Sequence, residues 1–244
     1  MKVLFLITAR GGSKGVPGKN LRKIAGLSLV GYKARSASRS RYCARLVIST
    51  DSAEIQDEAR RHGVEVPFTR PAELATDEAK SSAVIAHAMD WIETEGKERY
   101  DAVMRLEPSS PFARASDYDA AVELLERRKA NAVVGVRQSE ASTTVIGPLD
   151  AEGRLTAVVD KLHASRSSAG RRQSMPREFT MNGALYLFRW GYFRRHEWIY
   201  HDRDGVYAHV MDRFHSVEID DPVDLAWAEF LVERGYVSMS DWRN

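Results

Sequence analysis

The chain has 244 residues, of which 43% are hydrophobic and 29% are charged, and its formal net charge is +2. These values are ordinary for a soluble globular protein, and the length suits one large α/β domain or one domain with a substantial insertion. No apolar run approaches the roughly 20 residues of a membrane span, so we expect no membrane partner. The single cysteine, Cys43, excludes an internal disulfide and a multi-cysteine zinc site, and we expect a cytoplasmic location.

The charges are unevenly distributed along the chain. The first fifty residues contain no Asp or Glu but eleven Lys and Arg. Such a field attracts a polyanion, either a nucleic acid or a nucleoside triphosphate. Several of these cations lie in a loop that Gly and Pro shape for small phosphates, and no aromatic-interleaved basic patch accompanies them. We therefore expect a nucleotide and no nucleic acid as the partner.

Apolar strand-like runs alternate with helical periodicities along the chain. The predicted strands are residues 3–8, 45–50, 64–69, 102–106, 132–136 and 182–190. The predicted helices are residues 28–38, 52–63, 80–96 and 116–130, with a last helix beginning near Pro222. This alternation predicts an α/β fold with a mainly parallel sheet and right-handed crossovers.

Capping residues predict where three of the helices begin. Ser52 is the predicted N-cap at the start of residues 52–63. Ser116, with Asp119 three positions later, predicts the start of the helix of residues 116–130. Asp221 is expected to cap the last helix, which has Pro222 in its first turn.

Residues 138–181 break the alternation. The stretch "LHASRSSAGRRQSMPRE" is polar and basic and has no apolar period. We interpret this region as an extended excursion, a lid or a partner-contacting arm inserted into a single domain of residues 1–244.

The loop "ARGGSKGVPGKN", residues 9–20, follows the first predicted strand. It is not a Walker A loop, because Ser13 occupies the position of the required glycine and Asn20 that of the magnesium-binding hydroxyl. Its glycines never give the G-x-G-x-x-G spacing of a dinucleotide-binding loop. Even so, it lies where open α/β sheets bind ligands, and Arg10, Lys14 and Lys19 can neutralise phosphates there.

Two acids near the C-terminal end form a candidate metal site. Glu218 and Asp220 are two positions apart, so on one strand both carboxylates would point to the same face. Such oxygen pairs bind Mg²⁺, which usually also takes waters and substrate phosphates. The alternative is an ordinary acidic turn.

Five segments, in order along nearly the whole chain, are similar to the motifs of one enzyme family. They are residues 10–20, 49–82, 105–112, 171–188 and 216–225. Together they resemble the acylneuraminate cytidylyltransferases, the CMP-sialic acid synthetases. The resemblance implies a Rossmann-like nucleotidyltransferase fold with a mainly parallel sheet and a small dimerisation excursion, and hence a homodimer.

The resemblance also implies a reaction. An oxygen of an anionic acceptor attacks the α-phosphorus of CTP with Mg²⁺ bound, and pyrophosphate leaves. The acceptor expected is a sialic acid or a related nonulosonic acid. The alternatives are another acidic acceptor, such as a phosphonate or another 2-keto-3-deoxy acid, and a non-catalytic nucleotide-binding relative.

The resemblance assigns roles to residues of this sequence. Arg10 and Lys19 are the catalytic residues, steadying the leaving pyrophosphate. The nucleotide-binding residues implied are Arg10, Gly11, Gly12, Ser13, Lys14, Lys19, Asn20, Arg70 and Ser81. The acceptor-facing residues implied are Glu107, Arg172, Asn182 and Tyr186. Glu218 and Asp220 match the family's metal-binding D-x-D, with Glu in place of the first Asp.

The departures from the family pattern lie on the acceptor side. Glu107 replaces a Gln, and either repels an anionic acceptor or accepts hydrogen bonds from its hydroxyl or amino groups. Thr180 and Met181 occupy a stretch that often holds an Arg, and the lysine expected near residues 140–146 is missing. The nucleotide-side motifs are kept and predict activation by CTP, whereas the altered residues leave the identity of the acceptor open.

Overall fold

A six-stranded mixed sheet forms the centre of the protein, whose computed structural model describes residues 1–164 and 177–243. The sheet strands are β1 (Val3–Thr8), β4 (Cys43–Ser49), β5 (Ala102–Leu106), β6 (Ala132–Gln138), β7 (Phe179–Arg189) and β8 (Val206–Val210). Their order is β4-β1-β5-β7-β6-β8, and a separate hairpin pairs β2 (Lys23–Ile24) with β3 (Leu27–Ser28). Only β7 runs against its neighbours, so the sheet is mainly parallel, as predicted.

The strand β1 lies between two parallel partners. Phe5 pairs with Leu46 on one side and with Met104 on the other. Its apolar run is buried on both faces, as is expected for a strand inside a parallel sheet. Its carboxyl end therefore opens at the middle of the sheet edge, and residues 9–20 follow there.

Seven helices are described around the sheet. They are α1 (Leu29–Ser38), α2 (Ala53–Arg61), α3 (Ser81–Thr94), α4 (Ala115–Arg127), α5 (Thr156–Ala164), α6 (Trp190–His196) and α7 (Pro222–Glu233). Apolar side chains of α1, α2 and α4 share one core cluster with the sheet, and those of α3 and α6 share a second. The helix α7 packs in a third cluster with Val16 of the loop and Trp242. None of the described helices has the length and apolar character needed to cross a membrane.

Two of the three predicted helix starts are confirmed. The Ser52 hydroxyl accepts a hydrogen bond from the Ile55 amide, and the Asp221 carboxylate accepts one from the Val223 amide at 2.7 Å. The prediction for Ser116 is wrong, because α4 begins at Ala115 with Arg114 as its N-cap. The buried Asp117 carboxylate accepts from the Arg114 amide at 2.9 Å, which closes a capping box upstream of the serine.

The prediction of a strand at residues 64–69 is also wrong. Glu65 forms one isolated parallel bridge with Val47, and its amide donates to the Leu46 carbonyl. The next ladder bond would need the amide of Pro67, which has no N–H, so no strand develops. Several elements were not predicted: the hairpin of β2 and β3, the helix α6, the strand β8 and, within residues 138–181, the helix α5.

Candidate active site

A cavity of about 430 Å³ opens at the carboxyl ends of β1 and β5. Its walls come from the loop after β1, from residues 70–84, from the end of β5, and from residues 218–220. Ten of the predicted site residues line it: Arg10, Ser13, Lys14, Lys19, Asn20, Arg70, Ser81, Glu107, Glu218 and Asp220. Four segments that are distant in sequence therefore meet in one place. We call the part around Arg10, Lys14 and Lys19 the loop end, and the part around Arg105 and Glu107 the β5 end.

The loop end is held together by contacts that its own sequence provides. The buried Asn20 amide donates to the Arg10 carbonyl at 2.9 Å, which closes the loop on itself. The Lys19 ammonium donates to the Ile219 carbonyl at 2.6 Å and pairs with the Asp220 carboxylate at 3.1 Å. At Gly15, a Cβ would lie only 2.0 Å from the Asp220 carbonyl oxygen, so this close approach requires a glycine.

Gly11 and Gly12 lie outside the cavity lining of the described residues. The Gly11 amide donates to the Asp51 carboxylate at 2.9 Å, and a Cβ there would lie 3.0 Å from that of Ser52. Gly11 thus packs against the start of α2. The nucleotide contacts of both glycines stay predictions.

Asp77, which was not predicted as a site residue, forms ion pairs with two cations of the loop end. Its carboxylate lies 2.5 Å from the Arg10 guanidinium and forms an ion pair with the Lys14 ammonium. Hydrogen bonds from Lys14 and Arg10 hold the pKa of Asp77 below its usual range. Asp77 belongs to the irregular segment 75–80 before α3, within one of the motifs noted above. No sequence signal indicates this pairing, because Asp77 lies far along the chain from residues 9–20.

Arg70 is buried beside the end of β4. Its guanidinium donates to the Ser49 hydroxyl at 3.1 Å and to the Ser49 carbonyl at 2.6 Å. Burial, aided by the neighbouring Arg105 and Arg10 and opposed by Asp51, lowers the pKa of Arg70 to about 10. Arg70 therefore stays charged at neutral pH and is fixed by β4.

The β5 end contains an ion pair that was not predicted as such. The Arg105 guanidinium pairs with the Glu107 carboxylate and donates to the Thr8 hydroxyl at 3.3 Å. Its Cζ lies 5.0 Å from the centre of the Tyr186 ring. The predicted acceptor residue Tyr186 thus supports Arg105 from outside the described cavity lining.

Two other predicted acceptor residues have different placements. Asn182 is buried: its amide donates to the Ser216 hydroxyl at 3.2 Å, and its side-chain oxygen accepts from the Ala184 amide. These bonds direct the Asn182 side chain into the protein, away from the cavity. Arg172 lies outside the described residues.

Gly183 lies between the two glutamates of the cavity. Its φ is +66°, and a Cβ there would lie 2.6 Å from a Glu218 carboxylate oxygen and 3.2 Å from one of Glu107. The glycine thus allows both carboxylates to approach the β7 backbone. Burial, then Asp220 and Glu107, raises the pKa of Glu218.

Lys33 is fully buried next to residues 183–184 of β7. Its ammonium donates to the Ala184 carbonyl at 2.9 Å and to the Tyr118 hydroxyl at 3.3 Å. Burial lowers the pKa of Lys33 to about 7, against the opposing effects of Glu107 and Asp117. The β5 end therefore rests on an amine that titrates near neutral pH.

Glu218 and Asp220 have a donor set that suits Mg²⁺ together with a phosphate ligand. They line the cavity from an irregular segment, not from a strand as supposed above. Over residues 1–164 and 177–243, no three His, Cys, Asp or Glu side chains are grouped to hold a metal by themselves. Two carboxylates that face a cavity with phosphate-binding cations fit Mg²⁺, because it commonly takes its remaining ligands from water and substrate phosphates.

Comparisons with known proteins identify the family of this chain. The family described as Cytidylyltransferase matches residues 4–231. "Post-translational flagellin modification protein B" of Campylobacter coli is 30% identical, and "CMP-N,N'-diacetyllegionaminic acid synthase" of Campylobacter jejuni is 31% identical, each over 99% of both chains. A solved CMP:2-keto-3-deoxy-manno-octonic acid synthetase complexed with CTP shares the fold with a TM-score of 0.69, at 15% identity, covering 96% of this chain and 100% of that one. The chain belongs to the cytidylyltransferase family and is a nucleotidyltransferase that transfers CMP from CTP.

Proposed function

We propose that this enzyme couples CMP to a sialic acid or a related nonulosonic acid and releases pyrophosphate. The observation that carries the proposal is the meeting of the basic loop after β1 with the Arg105–Glu107 wall in one cavity. The name of the Campylobacter jejuni relative specifies a nonulosonic acid, and that relative aligns with this chain over nearly its full length. The cavity thus offers one end to a triphosphate and the other to an acid.

The chemistry is positioning and charge stabilisation. A hydroxyl oxygen of the acceptor bonds to the α-phosphorus of CTP, its proton passes to solvent, and the bond to the bridging oxygen breaks. The leaving pyrophosphate takes the bonding electrons, and Arg10 and Lys19 stabilise its charge. Because Lys19 is held by Ile219 and Asp220, its ammonium needs little reorganisation for this role.

Glu218 and Asp220 are the residues that would hold Mg²⁺. When bound, the ion neutralises phosphate charge and orients the triphosphate. Lys19 keeps the exposed Asp220 carboxylate beside the loop end, and Gly15 gives the backbone of residue 220 room to approach it.

A homodimer is also proposed. Exposed apolar side chains concentrate in the described part of residues 138–181; they include Val145, Ile146, Leu149, Leu155 and Val159. Apolar patches of this kind are typical of protein–protein interfaces. Light scattering coupled to gel filtration would test the dimer, and a monomer at micromolar concentration would count against it.

Pyrophosphate release tests the function. CTP alone is compared with CTP plus N-acetylneuraminic acid, N,N'-diacetyllegionaminic acid, a 2-keto-3-deoxy octonic acid or a phosphonate, with UTP and ATP as nucleotide controls. We expect release only with CTP and a nonulosonic acid. Turnover with the phosphonate or the octonic acid alone would favour the alternative acceptor class. No release with any acid would refute the proposed function.

A further inference from the structure

Arg105 is the cation of the β5 end among the described residues that line the cavity. Its side chain lies on the cavity wall with 14% of its surface exposed. The guanidinium is fixed on three sides by the Glu107 carboxylate, the Thr8 hydroxyl and the face of the Tyr186 ring. A planar guanidinium held in this way is pre-organised for a carboxylate, because little side-chain freedom remains to be lost on binding.

The other cations that line the cavity are engaged elsewhere. Arg10 and Lys14 share Asp77, and Lys19 pairs with Asp220, all at the loop end. Arg70 is buried against Ser49. Among the described lining residues, Arg105 is therefore the cation available to an anion bound at the β5 end.

The negative charge of Glu107 is compatible with an acidic acceptor because Glu107 is paired with Arg105. An isolated carboxylate at this position would repel an acidic acceptor. Because Arg105 pairs with it, the two side chains together carry no net charge. The contacts with Thr8 and Glu107 use Nε and Nη2 of Arg105, so Nη1 can still donate to a second carboxylate. The Glu107 carboxylate then remains an acceptor for the hydroxyl or amide N–H groups of the same ligand.

We infer that Arg105 is a specificity-determining residue that binds the carboxylate of the acceptor while Glu107 shares its guanidinium. The inference rests on the proposed function, since it needs an acceptor that carries a carboxylate. Arg105 would thus select acceptors that carry a carboxylate. The same arginine explains why an acidic residue, Glu107, can stand in the wall that faces an acidic acceptor.

The test uses steady-state pyrophosphate release with the acceptor that the wild-type enzyme prefers. Arg105→Gln should raise the KM for the acceptor at least tenfold and leave the KM for CTP within twofold. The double variant Arg105→Gln/Glu107→Gln should recover at least threefold of that loss, because it removes the carboxylate left unpaired by the single change. Arg60→Gln removes an exposed arginine of the Arg60–Asp57 pair and serves as the matched control, with unchanged kinetics expected.

An acceptor analogue separates recognition from a structural role. The wild-type enzyme should discriminate at least tenfold in kcat/KM between the acid and its carboxamide, and Arg105→Gln should lose most of this discrimination. A variant that only loosened the site would keep it. If Arg105→Gln does not fold, as judged by the absence of a cooperative thermal unfolding transition, Arg105→Lys is used in its place and should show an intermediate KM.

The outcomes distinguish the inference from the function beneath it. Absence of turnover by the wild-type enzyme with every acid refutes the proposed function and the inference together. The inference alone is refuted, provided that the wild-type enzyme turns over, by any one of three results. These are an unchanged KM for the acceptor in Arg105→Gln, undiminished discrimination in that variant, or no recovery in the double variant.

Discussion

The two ends of the cavity are built in different ways. The loop end comes mostly from twelve consecutive residues, 9–20, which close on themselves through Asn20 and Arg10. The β5 end is assembled from separate strands: Arg105 lies in β5 and Glu107 directly follows it, whereas Tyr186 and Gly183 belong to β7. A contiguous loop can be recognised from its sequence alone, whereas an assembled wall depends on contacts that only the fold creates. For the same reason the nucleotide was predicted from the loop, whereas the identity of the acceptor depends on the assembled wall.

The largest effect is expected at the junction of the loop end with residues 218–220. Asp220→Ala should abolish turnover, by about 100-fold or more in kcat, because it removes a proposed Mg²⁺ ligand and the partner of Lys19. The Asp220 side chain is 72% exposed, so the melting temperature should hardly change. Asp57→Ala, at another exposed acid, is the control. Full activity of the Asp220 variant would refute the metal assignment.

A smaller loss is expected from crowding the same junction. In Gly15→Ala the new methyl group would meet the Asp220 carbonyl oxygen, so the loop must move away. We expect the KM for CTP to rise by roughly tenfold, as measured by pyrophosphate release. Gly191→Ala is the matched control, because a Cβ at Gly191 has no neighbour within 4 Å. Equal kinetics of the two variants would mean that the loop end tolerates displacement.

A gain in affinity is expected from freeing the loop cations. Asp77→Asn removes the carboxylate that a bound triphosphate must displace from Arg10 and Lys14. Calorimetric titration should show CTP binding a few-fold tighter than in the wild type, with inorganic triphosphate following the same trend. Glu78→Gln changes the neighbouring exposed acid and should have little effect. Weaker CTP binding in the Asp77 variant would show instead that Asp77 orients the two cations for the nucleotide.

The smallest effect concerns the support of the β5 end. Lys33 has a pKa of about 7 in the folded protein and its ordinary value of 10.5 in the unfolded chain. Between these values the unfolded state binds more protons, so Lys33 makes stability rise with pH from about 7 to 10.5. Thermal melts of Lys33→Met across that window should show a flatter rise than the wild type or the exposed control Lys23→Met. An unchanged slope would contradict the burial of this amine.

Much of the fold followed from local patterns. The alternation of apolar runs and helical periodicities predicted the parallel strands β1, β4, β5 and β6, and Asp221 capped its helix as expected. The errors arose where one residue overrode the pattern. Pro67 interrupted a hydrogen-bond ladder, and Asp117 moved a helix start upstream of Ser116. The strand β8 was missed because its apolar run, residues 206–208, is only three residues long before His209.

The site was predicted only at the residues to which the family resemblance assigns a role. The loop residues and the Glu218/Asp220 pair meet as expected, because the family resemblance carried them. Asp77 and Arg105 were missed, since nothing in the sequence shows that an acid will meet two loop cations or that a strand arginine will face the cavity. Asn182 turned inward because Ser216 and Ala184 satisfy its amide inside the protein.

The bonds from Lys19 to residues 219 and 220 have a consequence for biosynthesis. Their partners are separated by 200 positions in the chain, so the ribosome completes Lys19 long before the groups that fix it exist. Domains can begin to fold from the N-terminal side during synthesis. The contacts that fix the Lys19 ammonium for its proposed role can therefore form only after residues 219 and 220 have emerged. By then all six strands of the sheet have been synthesised, because the last of them ends at Val210.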